Sequence, residues 1–372
     1  MAADAVSVFL CGDVMLGRGV DQVLPCPGDP ELREGWVRDA RDYVSLAEAV
    51  NGPLPPLPVG FDWPWGESLG VLRAAAPAAR VINLETSVTR SDDFAPGKAV
   101  HYRMHPGNVP CLAAARPDVC VLANNHVLDF GRRGLQETLR TLSRAGLRTA
   151  GAGRDADEAA APAAVPLEGG RRLLVFSFGM PSSGIPADWA ATRSRSGVAY
   201  VAEPGPAAAR ELTERIRQEK RPGDLAVASV HWGSNWGYTV PRDRTAFARA
   251  LVDDGADLVH GHSSHHPRPL ELYRGRLILH GCGDFIDDYE GISGYEQYRD
   301  DLRLLYLASL EPDTGRLTSL GITAFQARLL RLWPAPPQDS RWLRQLLDRI
   351  GQGLRIREDD TGPPHTWTLV PS

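Results

Sequence analysis

Four histidines, His260, His262, His265 and His266, fall within seven residues of the stretch Asp257 to Arg268, directly after the short apolar run Leu258-Val259. Neutral imidazole is a common protein ligand for zinc, iron, manganese and nickel, and a loop at a strand end can aim two or three rings at one point. A solvated polar turn is the plainer reading of the loop taken alone. Four other segments repeat the pattern of an apolar run followed at once by polar chemistry. Val6 to Leu10 leads to Gly12 and Asp13, and Val81-Ile82 leads to Asn83, Glu85 and Thr86. Val119 to Leu122 leads to Asn124, Asn125, His126 and Asp129, and Leu225 to Val230 leads to His231 and Trp232.

Each run is short and rich in Val, Ile or Leu, the pattern of a strand buried on both faces. Reactive groups at the carboxyl ends of such strands sit where open α/β sheets bind ligands. Between the runs lie helical periods. Gly134 to Ala145 places Leu135, Leu139 and Leu142 on one face before the stop at Gly146, and Asp243 to Asp254 does the same with Phe247, Ala250 and Leu251 before Gly255. Leu270 to Tyr273 and Arg276 to Leu279, joined across Arg274-Gly275, predict a hairpin that delivers His280 to Asp284 to the same edge.

The motifs GDVMLGR (Gly12 to Arg18), NLETSVT (Asn83 to Thr89), LANNHVLDFG (Leu122 to Gly131), VHWG (Val230 to Gly233), GHSSHHP (Gly261 to Pro267) and GCGDF (Gly281 to Phe285) resemble the CapA family. That family is named for a poly-γ-glutamate capsule synthesis protein and is similar to the calcineurin-like metallophosphoesterases. The resemblance runs from about residue 6 to about residue 290. It implies an α/β fold, a four-layer αββα sandwich of the metallo-dependent phosphatase type, and one or two divalent metal ions, with Mn, Fe, Zn and Co undistinguished.

By the same resemblance, Asp13, Glu85, Asn125, His231, His262 and His265 are the metal ligands, with Glu85 bridging. His126 would face the substrate as acid, base or electrophile and Asp129 would orient its ring, while Asp13 doubles as a proton-transfer group. His260 and His266 are expected in supporting rather than ligating roles. His280 is expected to supply a further proton-transfer group and Asp284 to line the pocket. Arg18, Trp63, Trp65 and Trp232 are expected to contact substrate; these tryptophans with Trp189 and Trp236 suit a groove for a peptide with apolar side chains, and core packing is the plainer reading for at least half of the five. The calcineurin-like pattern has Asp-x-His in its first motif, where this chain has Met15, and the bridging acid is Glu rather than Asp. Both departures are typical of the CapA branch and speak against a plain phosphatase mechanism.

Composition bounds the remainder. The chain has 372 residues, 43% of them hydrophobic, enough for one large α/β domain or two small ones. A formal net charge of −5 without a basic block gives no footprint for nucleic acid. The odd cysteines Cys11, Cys26, Cys111, Cys120 and Cys282 include no CxxC pair, so neither a disulfide framework nor a thiolate zinc site is indicated. Met1 to Ala5 is too short and polar for a signal peptide, and no apolar run reaches the ~20 residues that span a bilayer, so a cytoplasmic protein without a membrane partner is expected.

A domain over 1–335 is expected, with the proline-rich segment 20–66 as an irregular excursion and substrate lid. Residues 336–372 would form a helix over Arg341 to Ile350 and an unstructured tail packing on it. The expected function is metal-dependent acid–base chemistry at a carbonyl or carboxylate of a peptide or γ-glutamyl substrate, either epimerisation of a residue or hydrolysis or ligation of an amide. Capsule biosynthesis, phosphoester hydrolysis and a non-catalytic scaffold stand as the alternatives.

Overall fold

The computed structural model describes residues 5–357 and 365–372, and its first strand, Val6–Val14, runs through the centre of the larger sheet. Alternation along that strand splits its side chains between two apolar layers, Val8 and Leu10 facing one and Phe9 and Cys11 the other. The same period of two runs through Val81 and Ile82, Val119 and Cys120, Leu173 and Leu174, Val227 and Ala228, and Leu258 and Val259. These strands are therefore buried on both faces.

Val6–Val14 pairs in parallel with Ala79–Leu84 and Asp284–Ile286 and antiparallel with Leu302–Leu310, within a ten-stranded sheet. Val119–Val121 and Arg148–Ala150 extend its parallel side. A six-stranded sheet is built on Leu225–His231, which lies parallel to both Arg172–Gly179 and Leu258–His262. The layer between the sheets holds Val8, Val81 and Val119 from one and Val175, Val227 and Leu258 from the other. Ser68–Ala75, Val109–Ala115 and Gly131–Arg144 press Leu72, Leu112 and Leu135 on the outer face of the larger sheet. Pro206–Glu219 and Arg242–Asp253 press Ile216 and Leu251 on the outer face of the smaller one. The chain is a mixed α/β protein whose two large sheets face each other between helices.

The helix read at Gly134 to Ala145 begins one turn earlier, at Gly131, and stops before Gly146, whose φ of +74° needs no Cβ. The predicted hairpin forms, with Arg274 and Gly275 at φ +48° and +77°, the pair of positive values that a tight two-residue turn requires.

The segment 20–66 is packed where an irregular excursion was expected. It carries the helices Arg18–Val23 and Arg41–Asn51, and its Val20, Val23, Val44, Val59 and Trp65 belong to the outer core of the larger sheet. Its prolines break the chain between packed pieces instead of freeing it. At the end of the chain the expected helix forms, starting earlier at Pro337, and the tail after it differs from expectation. Pro337–Ile350 inserts Leu343 and Leu347 into the layer between the sheets, and Thr366–Pro371, expected as unstructured, pairs with Leu317–Ala327 as a strand. The rest of that tail, 358–364, and the first four residues read for a signal peptide lie outside the described residues. Among the described residues no helix is long and apolar enough to cross a membrane.

Candidate metal centre

At the carboxyl ends of the parallel strands the inward alternation turns from apolar to polar. Ser229 and His231 share a face of one strand, His260 and His262 the same face of its neighbour, and the register sets Ser229 opposite His260 and His231 opposite His262. In the other sheet Asp13 stands opposite both Asn83 and Asp284. That approach depends on Gly12, where a Cβ would lie 1.5 Å from the Gly283 carbonyl oxygen; the bare backbone lets the Asp13 N–H donate to that oxygen at 3.1 Å. Ser263 follows His262 at φ +99°, a strained value that turns its N–H to the Asp13 carboxylate, 3.2 Å away.

Asp13, Glu85 and Asp284 gather buried negative charge. Burial, then the charge of Asp284, pushes Asp13 up to about 7, against the hydrogen bond from Asn83 Nδ2 at 2.7 Å. Burial and then Asp13 push Glu85 well above the usual carboxylate range. Burial would raise Asp284 as well, but His265 beside it, Nδ1 to Oδ1 at 3.0 Å, overrides this and holds it low. Burial likewise disfavours the His265 imidazolium, yet Asp284 raises its pKa. One oxygen of Asp284, Oδ2, is fully buried with no hydrogen-bond partner among the described residues. Asp13, His265 and Asp284 each offer a ligand atom within 4.8 Å of one another, and so do Asp13, His231 and His262. A divalent cation among these groups would offset the repulsion and give the orphaned oxygen a partner.

Proton counting on the histidines leads to the same place. Burial drives His260 down to about 4, so it is neutral, and its Nε2–H donates to the Cys11 carbonyl at 2.7 Å. Its Nδ1 lone pair then takes the single proton of Ser229 Oγ, 3.1 Å away, and Ser229 in turn accepts from His262 Nε2–H at 2.9 Å. His262, also held neutral by burial and by His231, is left with a bare lone pair at Nδ1. That lone pair faces His231 Nδ1 at 2.8 Å, while His231 Nε2 faces Asn125 Oδ1 at 2.8 Å. Neutral His231 has one proton, so with the Asn125 amide turned to present Oδ1, one end of the ring presents a lone pair to a lone pair. A cation bound there completes the chain, and the donor set fits it: imidazole nitrogen, amide oxygen and the Glu85 carboxylate, whose Oε1 lies 3.7 Å from His231 Nε2.

His126 stands beside this cluster. Its Nδ1 meets Asp129 Oδ2 at 2.6 Å, which directs Nε2 toward Glu85 Oε1, 3.8 Å away, and the Tyr102 ring packs edge-on against it. Burial first, opposed by Asp129, brings the imidazole down to about 4, so it is neutral near pH 7. The same Asp129 is held low by His126 and Lys98 against its burial, and it accepts a second bond from the Tyr102 N–H at 2.7 Å. Lys98 reaches in from a loop without any motif, its ammonium donating to Asp129 and to the Asn125 carbonyl. Glu85, Asn125, His126, His265, Lys98, Tyr102 and Tyr289 line a pocket of about 230 Å³.

Asp13, Glu85, Asn125, His126, His231, His262 and His265 are thus brought together, and Asp284 joins them as a ligand candidate instead of a lining group. His260 supports from beneath. His266 faces away, stacked on Tyr298 with its Nδ1 against the Pro267 carbonyl. Five other expectations are corrected. His280 is turned from the pocket, paired with Glu271 at 2.9 Å and stacked on Trp232, because the strand before it points that ring outward. Trp232 is buried in the outer core with Nε1 on the His280 carbonyl, and Trp65 is fully buried with Nε1 on the Cys111 carbonyl. Trp63 packs on the same outer core as Trp65 and donates to the Leu329 carbonyl. Arg18 lies a layer below the pocket wall between Tyr43 and Tyr102, its charge spent on Glu34 and Asp288. Sequence reasoning missed Lys98, Tyr102, Tyr289, Ser263 and Ser229. For Ser229 there was a signal, since it sits two residues before His231 and so on its face.

Residues 7–289 match the family model described as bacterial capsule synthesis protein PGA_cap. The probable polyglutamine synthesis accessory protein of two Mycobacterium tuberculosis strains is 51% identical over 370 residues, 99% of this chain and 97% of the relative. The PGA biosynthesis protein CapA of Bacillus subtilis is 26% identical over 368 residues, 98% of this chain and 80% of its own length. The capsule biosynthesis protein CapA of Bacillus anthracis is 25% identical over 303 residues, 82% of this chain and 64% of its own.

Proposed function

Because this chain belongs to the bacterial capsule synthesis protein PGA_cap family, we propose that it is a metal-dependent enzyme of poly-glutamate synthesis that cleaves or exchanges an amide bond of a glutamyl polymer. The fold proposed for it is the αββα sandwich of the metallo-dependent phosphatases. The observation that carries the reading is the convergence of Asp13, Glu85, Asn125, His231, His262, His265 and Asp284 at one end of two facing sheets.

Those residues would hold one or two divalent ions. A bound divalent cation supplies polarisation of a carbonyl and a more acidic water. The chain's own groups do the rest. Asp129 fixes the His126 tautomer with hydrogen on Nδ1, so Nε2 offers a lone pair to the pocket. His126 takes a proton there from the attacking nucleophile and returns it to the departing amine. Lys98 brings positive charge to the rim, where it favours the free carboxylate of a glutamyl residue, and its bond to Asp129 couples that charge to the His126 partner. Tyr102 and Tyr289, joined hydroxyl to hydroxyl at 2.8 Å, line the same pocket.

Amide chemistry is favoured over epimerisation by the position of His280. Epimerisation needs two proton-transfer groups across one carbon, and of the three expected His280 faces Glu271 and Asp13 stands among the proposed ligands, which leaves His126. The test is the length of poly-γ-glutamate, followed by size-exclusion chromatography after incubation with the metal-loaded enzyme in deuterated water. Shortened or lengthened chains support the reading. Deuterium at the α-carbon with unchanged length would replace it by epimerisation.

A further inference from the structure

The outer helix Gly131–Arg144 carries Arg133, Arg140 and Arg144, all exposed. At 3.6 residues per turn these positions return to nearly one direction, and a rise of 1.5 Å per residue sets them along a line of about 16 Å. Arg90, exposed on the adjoining loop, adds a fourth guanidinium to a groove of about 690 Å³ that shares no lining residue with the pocket at the candidate metal centre. Asp92 and Glu137 also line it. Glu137 is engaged already, accepting from the Arg90 N–H at 3.0 Å with the Arg90 guanidinium 3.8 Å away. Among the described residues, no carboxylate lies within ion-pair distance of Arg133, Arg140 or Arg144. This unneutralised stripe stands on a chain with a formal net charge of −5.

We propose that the arginine stripe is a second binding site, one that holds an extended polycarboxylate chain outside the reacting pocket. The proposal rests on the glutamyl reading above for the identity of the polymer, but the site is argued from its own chemistry. Guanidinium forks match carboxylates with two parallel hydrogen bonds, and a row of them rewards a ligand that repeats the carboxylate. An α-linked peptide rises about 3.3–3.6 Å per residue over three backbone atoms, so a γ-linked glutamyl residue with five reaches about 6 Å and the stripe spans about three residues of such a chain. No aromatic side chain lines the groove, which leaves the bases of a single-stranded nucleic acid nothing to stack on. Arg133 is four residues from Asp129, so a chain lying on the helix has one end beside the loop that carries His126.

The test is fluorescence anisotropy of fluorescein-labelled poly-γ-glutamate with the full chain, the triple variants Arg133→Gln/Arg140→Gln/Arg144→Gln and Arg133→Lys/Arg140→Lys/Arg144→Lys, and His262→Ala. Circular dichroism confirms that each variant is folded. The expected result is binding by the wild type and by His262→Ala, at least about a tenfold loss in the glutamine triple, and substantial retention in the lysine triple. Equal binding by the glutamine triple and the wild type overturns the site. Binding lost in His262→Ala but kept in the glutamine triple also overturns it, and places the polymer at the metal centre with the functional reading intact. Tighter arginine-dependent binding of oligothymidylate than of poly-γ-glutamate overturns the polycarboxylate. Wild-type protein that binds no poly-γ-glutamate overturns the site as well, and the chain-length assay then decides the functional reading separately.

Discussion

His231 and His262 stand opposite each other in a parallel ladder and meet Nδ1 to Nδ1 at 2.8 Å. Beneath them Ser229 and His260 pass one proton each toward the Cys11 carbonyl, and this order leaves the His262 lone pair facing His231 Nδ1. The pair is therefore set up to share a cation, and the serine and histidine below act on it without touching the ion.

Ser229→Ala keeps every proposed ligand and removes the group that accepts from His262 Nε2–H. Metal affinity should fall about 10–100-fold, measured by equilibrium dialysis with manganese or zinc. An affinity equal to wild type would show that the hydroxyl does not set the ring.

Asp129→Asn replaces the acceptor that fixes the His126 tautomer. Turnover of poly-γ-glutamate should drop by about 10²–10⁴-fold, as expected for loss of an acid–base group, with metal content unchanged. A loss of metal in parallel with activity would mean that Asp129 supports the ligands and not His126.

Trp65 is fully buried against Phe285 and bonded to the Cys111 carbonyl, so Trp65→Ala should destabilise the protein by about 3–5 kcal/mol in denaturant unfolding. Its KM for polymer should stay that of wild type below the unfolding transition. A raised KM with unchanged stability would restore the tryptophan to substrate contact.

Asp21 offers a pH test away from the centre. Burial raises its carboxyl from 3.8 to about 6, despite hydrogen bonds from the Gly28 and His105 N–H groups and Asn108 Nδ2. A carboxyl whose folded pKa is raised binds protons more tightly in the native state. Its contribution is full below pH 4 and is lost as the pH climbs to about 6, at most about 3 kcal/mol. The stability of wild type relative to Asp21→Asn should therefore fall from pH 4 to pH 6 in urea unfolding. A constant difference over that window would refute the assignment.

Much of this was legible in the residues because strand ends announce themselves. A short apolar run that stops at Asp13, Asn125, His231 or His262 encodes both the buried strand and the group at its tip. What stayed hidden depends on long-range packing. Lys98 reaches Asp129 from a loop whose local sequence has no period, and Arg18 is withdrawn by Glu34 and Asp288, the latter 270 residues away. Prolines in 20–66 read as loop because they mark breaks, while the Val20, Val44 and Trp65 contacts that bury the segment are made with distant strands. His280 was aimed wrongly because one residue along a strand reverses the face.

The metal centre is tested by the metal content of the full chain, measured by elemental analysis after dialysis against divalent ions, for wild type and His262→Ala. One or two tightly held ions per wild-type chain are expected, and at least one fewer in the variant. Wild-type protein that retains no ion would contradict a metal centre.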